Sequence, residues 1–152
     1  MDKIEDKLYE RASGYCAKSE HCESEVMEKL VAWKGDEDVD LEAVVARLRE
    51  ENFISDERYC VAYVRDKFHF NHWGKLKIRT MLRAKRLDSA AIEDALTSEI
   101  ADDEYLSVLQ KLVDEKLRSL KEDDPHLLEK VYRFVASRGF DYESFRQVIR
   151  RD

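Results

Sequence analysis

The chain has 152 residues, enough for one ordinary domain or a short repeat array with a real core. Charged residues make up 40% of it, while only 4 Gly and 1 Pro are present, which disfavours sheets and favours helices joined by short loops. The net charge of −7 argues against a protein that coats bare nucleic acid. No apolar run approaches the roughly 20 residues of a membrane helix. The start, Met1-Asp-Lys-Ile-Glu-Asp-Lys7, is charged rather than signal-like, so a soluble cytoplasmic protein with no membrane contact is expected.

In chain order, the first helix is expected from Ile4 to Ala17, where Ile4, Leu8, Ala12, Tyr15 and Cys16 recur at three- and four-residue steps. A second covers roughly Ser24 to Trp33, with Val26, Leu30 and Trp33 inward and Glu23 and Glu25 at its positive end. After an acidic loop at Gly35 to Asp38, Asp40 should cap a third helix whose Leu41, Val44, Val45 and Leu48 share a face. Ser55 should cap the fourth, with Tyr59, Ala62, Tyr63 and Val64 pointing inward toward Phe68. The fifth should run from Trp73-Gly74 to Lys85, with an apolar stripe of Ile78, Met81 and Leu82. The sixth should start at Asp88-Ser89 and bury Ile92, Ala95 and Leu96.

Asp102 to Leu120 is the longest periodic run, with Leu106, Leu109, Val113 and Leu117 on one stripe. Asp124-Pro125 reads as an N-cap with proline at the first helical position. Two last helices flank Gly139-Phe140-Asp141, where glycine can end the first of them.

These nine helices repeat in threes. The pairs Val26/Leu30, Ile78/Leu82 and Val131/Val135 recur at spacings of 52 and 53, each followed by a stop and by Asp40, Asp88 or Asp141. The expected fold is all-α: three tandem three-helix repeats over 1–53, 54–101 and 102–152, stacked into an elongated, curved array.

Charge is distributed unevenly along this array. Between Arg65 and Arg86 stand Arg65, Lys67, Lys75, Lys77, Arg79, Arg83, Lys85 and Arg86 against the single acid Asp66, a net +7, which leaves −14 on the rest of the chain. At about 100° per residue, Lys75, Arg79, Arg83 and Arg86 line up beside the apolar stripe, where they could face phosphates, with His72 and Trp73 at their start for stacking. A solvated helix face accounts for the same pattern.

Other chemistries find no support in the spacing. Cys16, His21 and Cys22 lack a paired second half for zinc, and Cys60 does not complete one, so no metal is expected and the cysteines read as reduced. There is no glycine-bearing nucleophile turn and no phosphate loop, so neither an enzyme nor a cofactor is expected.

The stretch Ile54-Ser-Asp-Glu-Arg-Tyr-Cys-Val-Ala-Tyr-Val-Arg65, followed by Gly74, Ile78, Leu82 and Lys85, resembles the RecX family pattern. Upstream, Tyr15-Cys16, His21-Cys22 and Glu25-Val-Met-Glu-Lys-Leu30 look like its first repeat. The matching residues Asp56, Arg58, Tyr59, Tyr63, Gly74, Ile78 and Leu82 would be mainly structural. The resemblance implies a regulator that binds the RecA recombinase filament on DNA and lowers its ATP hydrolysis and strand exchange, a monomer with no chemistry of its own. Weak direct DNA contact would run through the second repeat. The alternative is a helical adaptor for a protein partner that never meets DNA, and salt-dependent binding separates the two. Two departures from the family pattern stand out: Lys34 and Arg86 in place of glycine require other caps, with Gly35 able to serve in the first, and Cys22 stands where serine is common.

Overall fold

The computed structural model describes residues 2–150, and among these it contains nine α-helices and no strand. They are α1 (Lys3–Lys18), α2 (Glu23–Lys34), α3 (Leu41–Glu50), α4 (Asp56–His69), α5 (Lys75–Ala84), α6 (Ser89–Glu99), α7 (Asp102–Ser119), α8 (Leu127–Ser137) and α9 (Tyr142–Arg150). Packing is closest within each consecutive set of three.

Local chemistry sets most boundaries. The side chains of Asp40, Ser55, Asp88 and Asp141 accept backbone N–H groups of the first turns of α3, α4, α6 and α9, satisfying donors that a helix start leaves unpaired. α1 begins one residue earlier than its apolar stripe suggests. Asp2 and Glu5 form a reciprocal capping box there, with the Glu5 N–H donating to Asp2 Oδ1 over 2.9 Å. α8 begins later than Asp124-Pro125 suggests: His126 is its N-cap, and Asp124 instead accepts the His126 N–H over 2.8 Å and pairs with Lys130. A carboxylate that holds the turn ahead of the helix competes with capping the helix itself.

Three apolar stripes are rotated from their expected position. α7 buries Tyr105, Leu109, Leu112 and Val113, leaving Leu106 and Leu117 half-buried. Ala62 faces solvent while Cys60 is fully buried, and Met81 is 39% exposed beside buried Ile78 and Leu82. Trp33 is half-buried, with the Arg11 guanidinium 4.3 Å from its ring centre.

The stops without the family's glycine are met in two ways. Gly35 ends α2 at φ +59°, taking over from Lys34, which stays helical. Arg86 itself adopts φ +64°, as do Asn52 and His72 at nearby values. A side chain in this left-handed region crowds its own backbone, so Arg86→Gly should raise stability by roughly 0.5–1 kcal/mol, seen as a melting temperature about 2–3 °C higher. An unchanged or lower melting temperature would show that the arginine side chain stabilises this turn by as much as the strain costs.

Two cores result. One lies within the first set, built on Leu8, Val26, Leu30, Val45 and Leu48, and is closed by Phe53 and Ile54 just beyond α3. The other runs continuously through the second and third sets and also takes in Cys22, the N-cap residue of α2.

Candidate nucleic-acid interface

The motif that opens the second set works as a junction. Arg58 donates to Glu20 Oε1 over 2.9 Å and to the Asn52 carbonyl over 2.8 Å, tying the start of α4 to the end of the first set. Asp56 accepts the Asp88 N–H over 3.3 Å, joining the starts of α4 and α6. Burial, with other carboxylates nearby, raises its pKa above the ordinary carboxylate range. Tyr59 and Tyr63 stack at 5.9 Å, and Tyr63 meets Trp73 edge-on. Ile78 and Leu82 are fully buried. Asp56, Arg58, Tyr59, Tyr63, Ile78 and Leu82 thus all make packing or helix-to-helix contacts.

Gly74 lies where the second and third sets touch. Its N–H donates to the Arg138 carbonyl over 2.7 Å, the Leu76 N–H donates to the Gly139 carbonyl over 3.0 Å, and the Lys75 N–H donates to the Tyr105 hydroxyl over 3.1 Å. Tyr105 stacks on Phe140 at 5.0 Å, and its burial pushes the phenol up to about 12, so it stays a neutral donor and acceptor. α5 is therefore tied to the third set at its N-terminal end, while its Ile78 and Leu82 are buried in the core.

The eight basic residues fall into three groups. Arg65, Arg79 and Lys85 are neutralised by carboxylates. Arg79 makes a bidentate pair with Glu93 at 2.8 and 2.9 Å, and this pairing holds the Glu93 carboxyl below its usual range. Lys85 reaches Glu25 across the first junction at 3.2 Å. Burial alone would raise the Glu25 pKa, but the Cys22 N–H and the Lys85 ammonium outweigh it, lower the pKa and hold the carboxylate charged.

A second group rests on aromatic rings. Lys67 and Lys77 lie 5.0 and 4.3 Å from the Trp73 ring centre, and Lys75 lies 4.8 Å from that of Tyr105. Lys67 also pairs loosely with Asp66. The third group, Arg83 and Arg86, is exposed and forms no ion pair among the described residues. The expected stripe is thus interrupted at Arg79, with its open charge at the C-terminal end of α5. Phe70, the C-cap residue of α4, is 81% exposed and adds a bare aromatic surface that the sequence reading did not single out.

No group of three or more metal-ligating side chains comes together among the described residues. Cys22 and Cys60 are fully buried, while Cys16 is half-buried. Burial raises the Cys60 thiol to about 12, which makes it an inert core residue. No helix of the described chain is long and apolar enough to cross a membrane.

Sequence models of the second and third three-helix domains of RecX match residues 55–96 and 102–149. The regulatory protein RecX of Vibrio parahaemolyticus (serotype O3:K6, strain RIMD 2210633) is 30% identical over 140 residues, covering 92% of this chain and 88% of its own. The chain belongs to the RecX family. Its fold agrees with the crystal structure of RecX from Lactobacillus salivarius at a TM-score of 0.85 and 23% identity, over 97% of this chain and 95% of that one. The regulatory protein RecX of Clostridium perfringens (strain 13 / Type A) is 31% identical over 132 residues, 85% of this chain. The chain spans about 60% of the length of that longer relative. Of the motif residues, Arg58 and Gly74 fall where one three-helix set meets another, while Asp56 joins two helices within the second set.

Proposed function

We propose that this RecX protein is a non-enzymatic regulator that binds the RecA recombinase filament on DNA in the cytoplasm, as a monomer, and lowers its ATP hydrolysis and strand exchange. In this reading the repeats are 1–53, 54–101 and 102–152, and the second supplies the main contact, including weak direct contact with DNA. The observation that carries it is the open positive charge of Arg83 and Arg86 on the one strongly basic segment of an otherwise acidic chain. Exposed Phe70 supports it, because aromatic and arginine side chains anchor protein contacts more often than other types.

The test is a titration into RecA on single-stranded DNA, read as ATP hydrolysis. Reversing Arg79 would set a carboxylate against Glu93 and disturb the fold, so Arg83→Glu with Arg86→Glu is the cleaner variant. It should shift the inhibition midpoint upward by about ten-fold or more, since each lost charge contact is worth roughly 1 kcal/mol or more when two act together. Helix content should be unchanged. Wild-type inhibition by the variant would remove these arginines from the interface, and no effect of the wild-type chain at saturation would favour the adaptor reading.

A further inference from the structure

Cations in this chain are held in two ways. Arg49, Arg58, Arg65, Arg79 and Lys85 each lie against a glutamate, which cancels their charge. Others lie against rings, and these extend beyond the second set. In the third set, Lys116 and Arg138 flank Phe134, with their charged groups 5.2 and 5.0 Å from its ring centre. Lys77, Lys116 and Arg138 form no ion pair among the described residues.

The two ring-and-cation groups meet at a backbone joint. Arg138 accepts the Gly74 N–H through its carbonyl, and the next residue, Gly139, packs directly on Lys77. Lys67, Trp73 and Lys77 are thereby followed, across the joint, by Arg138, Phe134 and Lys116. Lys116 and Phe134 of the latter group line an open groove of about 440 Å³ together with Leu120, Arg133 and the Asp124-paired Lys130.

A ring steadies an ammonium or guanidinium group through its quadrupole while leaving the charge available, whereas a carboxylate spends it. In a chain with 34 acids, several adjacent cations on rings and off carboxylates make a surface suited to a repeating anion. Trp73 and Phe134 are half-buried, so each keeps an open part beside its cations on which an unpaired base can stack, a contact that a closed duplex does not offer. Building on the regulator reading above, we propose that Trp73, Lys77, Arg138, Phe134 and Lys116 form a track for one single strand of nucleic acid, carrying the interface into the third set. Phosphates lie against the cations and bases against the two rings.

The experiment measures anisotropy of a labelled oligothymidine and of a matched duplex, without RecA, over a range of salt. Lys77→Gln with Lys116→Gln and Arg138→Gln should lower the slope of log affinity against log salt for the single strand by about 2, at roughly 0.7 per lost phosphate contact. The off-track control Lys3→Gln with Lys7→Gln and Lys18→Gln should change it by less than about 1. Equal losses from the two triple variants would overturn the track, as would duplex binding as tight as single-strand binding. Should the first variant fail to fold, Phe134→Leu keeps the apolar volume and must still weaken the single strand more than the duplex. A wild-type chain that binds the strand this way but leaves RecA hydrolysis unchanged keeps the track and removes the regulator; inhibition without the predicted slope change removes the track alone.

Discussion

Gly139→Ala should destabilise this chain by roughly 2–5 kcal/mol, as the sum of two separable effects. Gly139 holds φ +99°, where any side chain crowds its own backbone, and an added Cβ would also overlap the Cβ and backbone nitrogen of Lys77 and lie 2.9 Å from the Gly74 carbonyl oxygen. Two other glycines divide these contributions. Gly35 shares the left-handed backbone at φ +59° but faces open space, so Gly35→Ala should cost only the strain, about 1–2 kcal/mol. Gly74 has an ordinary φ of −78°, but its added Cβ would overlap the Gly139 carbonyl and the Phe140 nitrogen, so Gly74→Ala should cost about 1–3 kcal/mol by overpacking alone. Urea midpoints at unchanged slope measure all three. A Gly139→Ala loss no larger than that of Gly35→Ala would mean that the second and third sets separate easily at this joint.

The ranking of those glycines shows what the sequence can and cannot disclose. The pattern marks Gly74 as part of a family motif and Gly139 as a helix stop, and both readings concern local conformation. That the two press on one another depends on how far the third set rotates onto the second, which no spacing encodes. Helix number and order were legible because 3.6-residue periodicity and capping side chains act within a few residues of each other. Asp2 was missed although Asp-x-x-Glu is a capping signal, because the apolar stripe beginning at Ile4 outweighed it.

The candidate interface was legible as composition but not as available charge. Arg79 and Arg83 look equivalent on a helical projection, yet Glu93 on α6 forms an ion pair with the first and acts on the second only through space. Likewise Lys116, Phe134 and Arg138 are unremarkable in an acidic third repeat. Only the packing of α7 against α8 places two cations on one ring.

The division into two cores predicts how the chain comes apart. Leu30 and Leu109 are both fully buried, and truncating either to alanine should cost about 2–5 kcal/mol. Their consequences should differ in reach. Leu30 belongs to the core confined to the first set, which is joined to the rest by a few contacts: Arg58 to Glu20, Lys85 to Glu25, and buried Cys22. Leu109 belongs to the core shared by α4 to α9. In native-state hydrogen exchange, Leu30→Ala should lower the protection of amides in α1 to α3 and leave the most protected amides of α4 to α9 close to wild type. Leu109→Ala should lower protection in α4 to α6 together with α7 to α9, because a cavity in a shared core weakens both sets that line it. If Leu30→Ala lowered protection in all nine helices to the same extent, the first set would not be a separable unit, and its few junction contacts would have to couple the two cores fully. With the predicted pattern, α1 to α3 can open while the basic face of α5 and the joint at Gly139 stay folded, so contact made by the second and third sets survives loosening of the first.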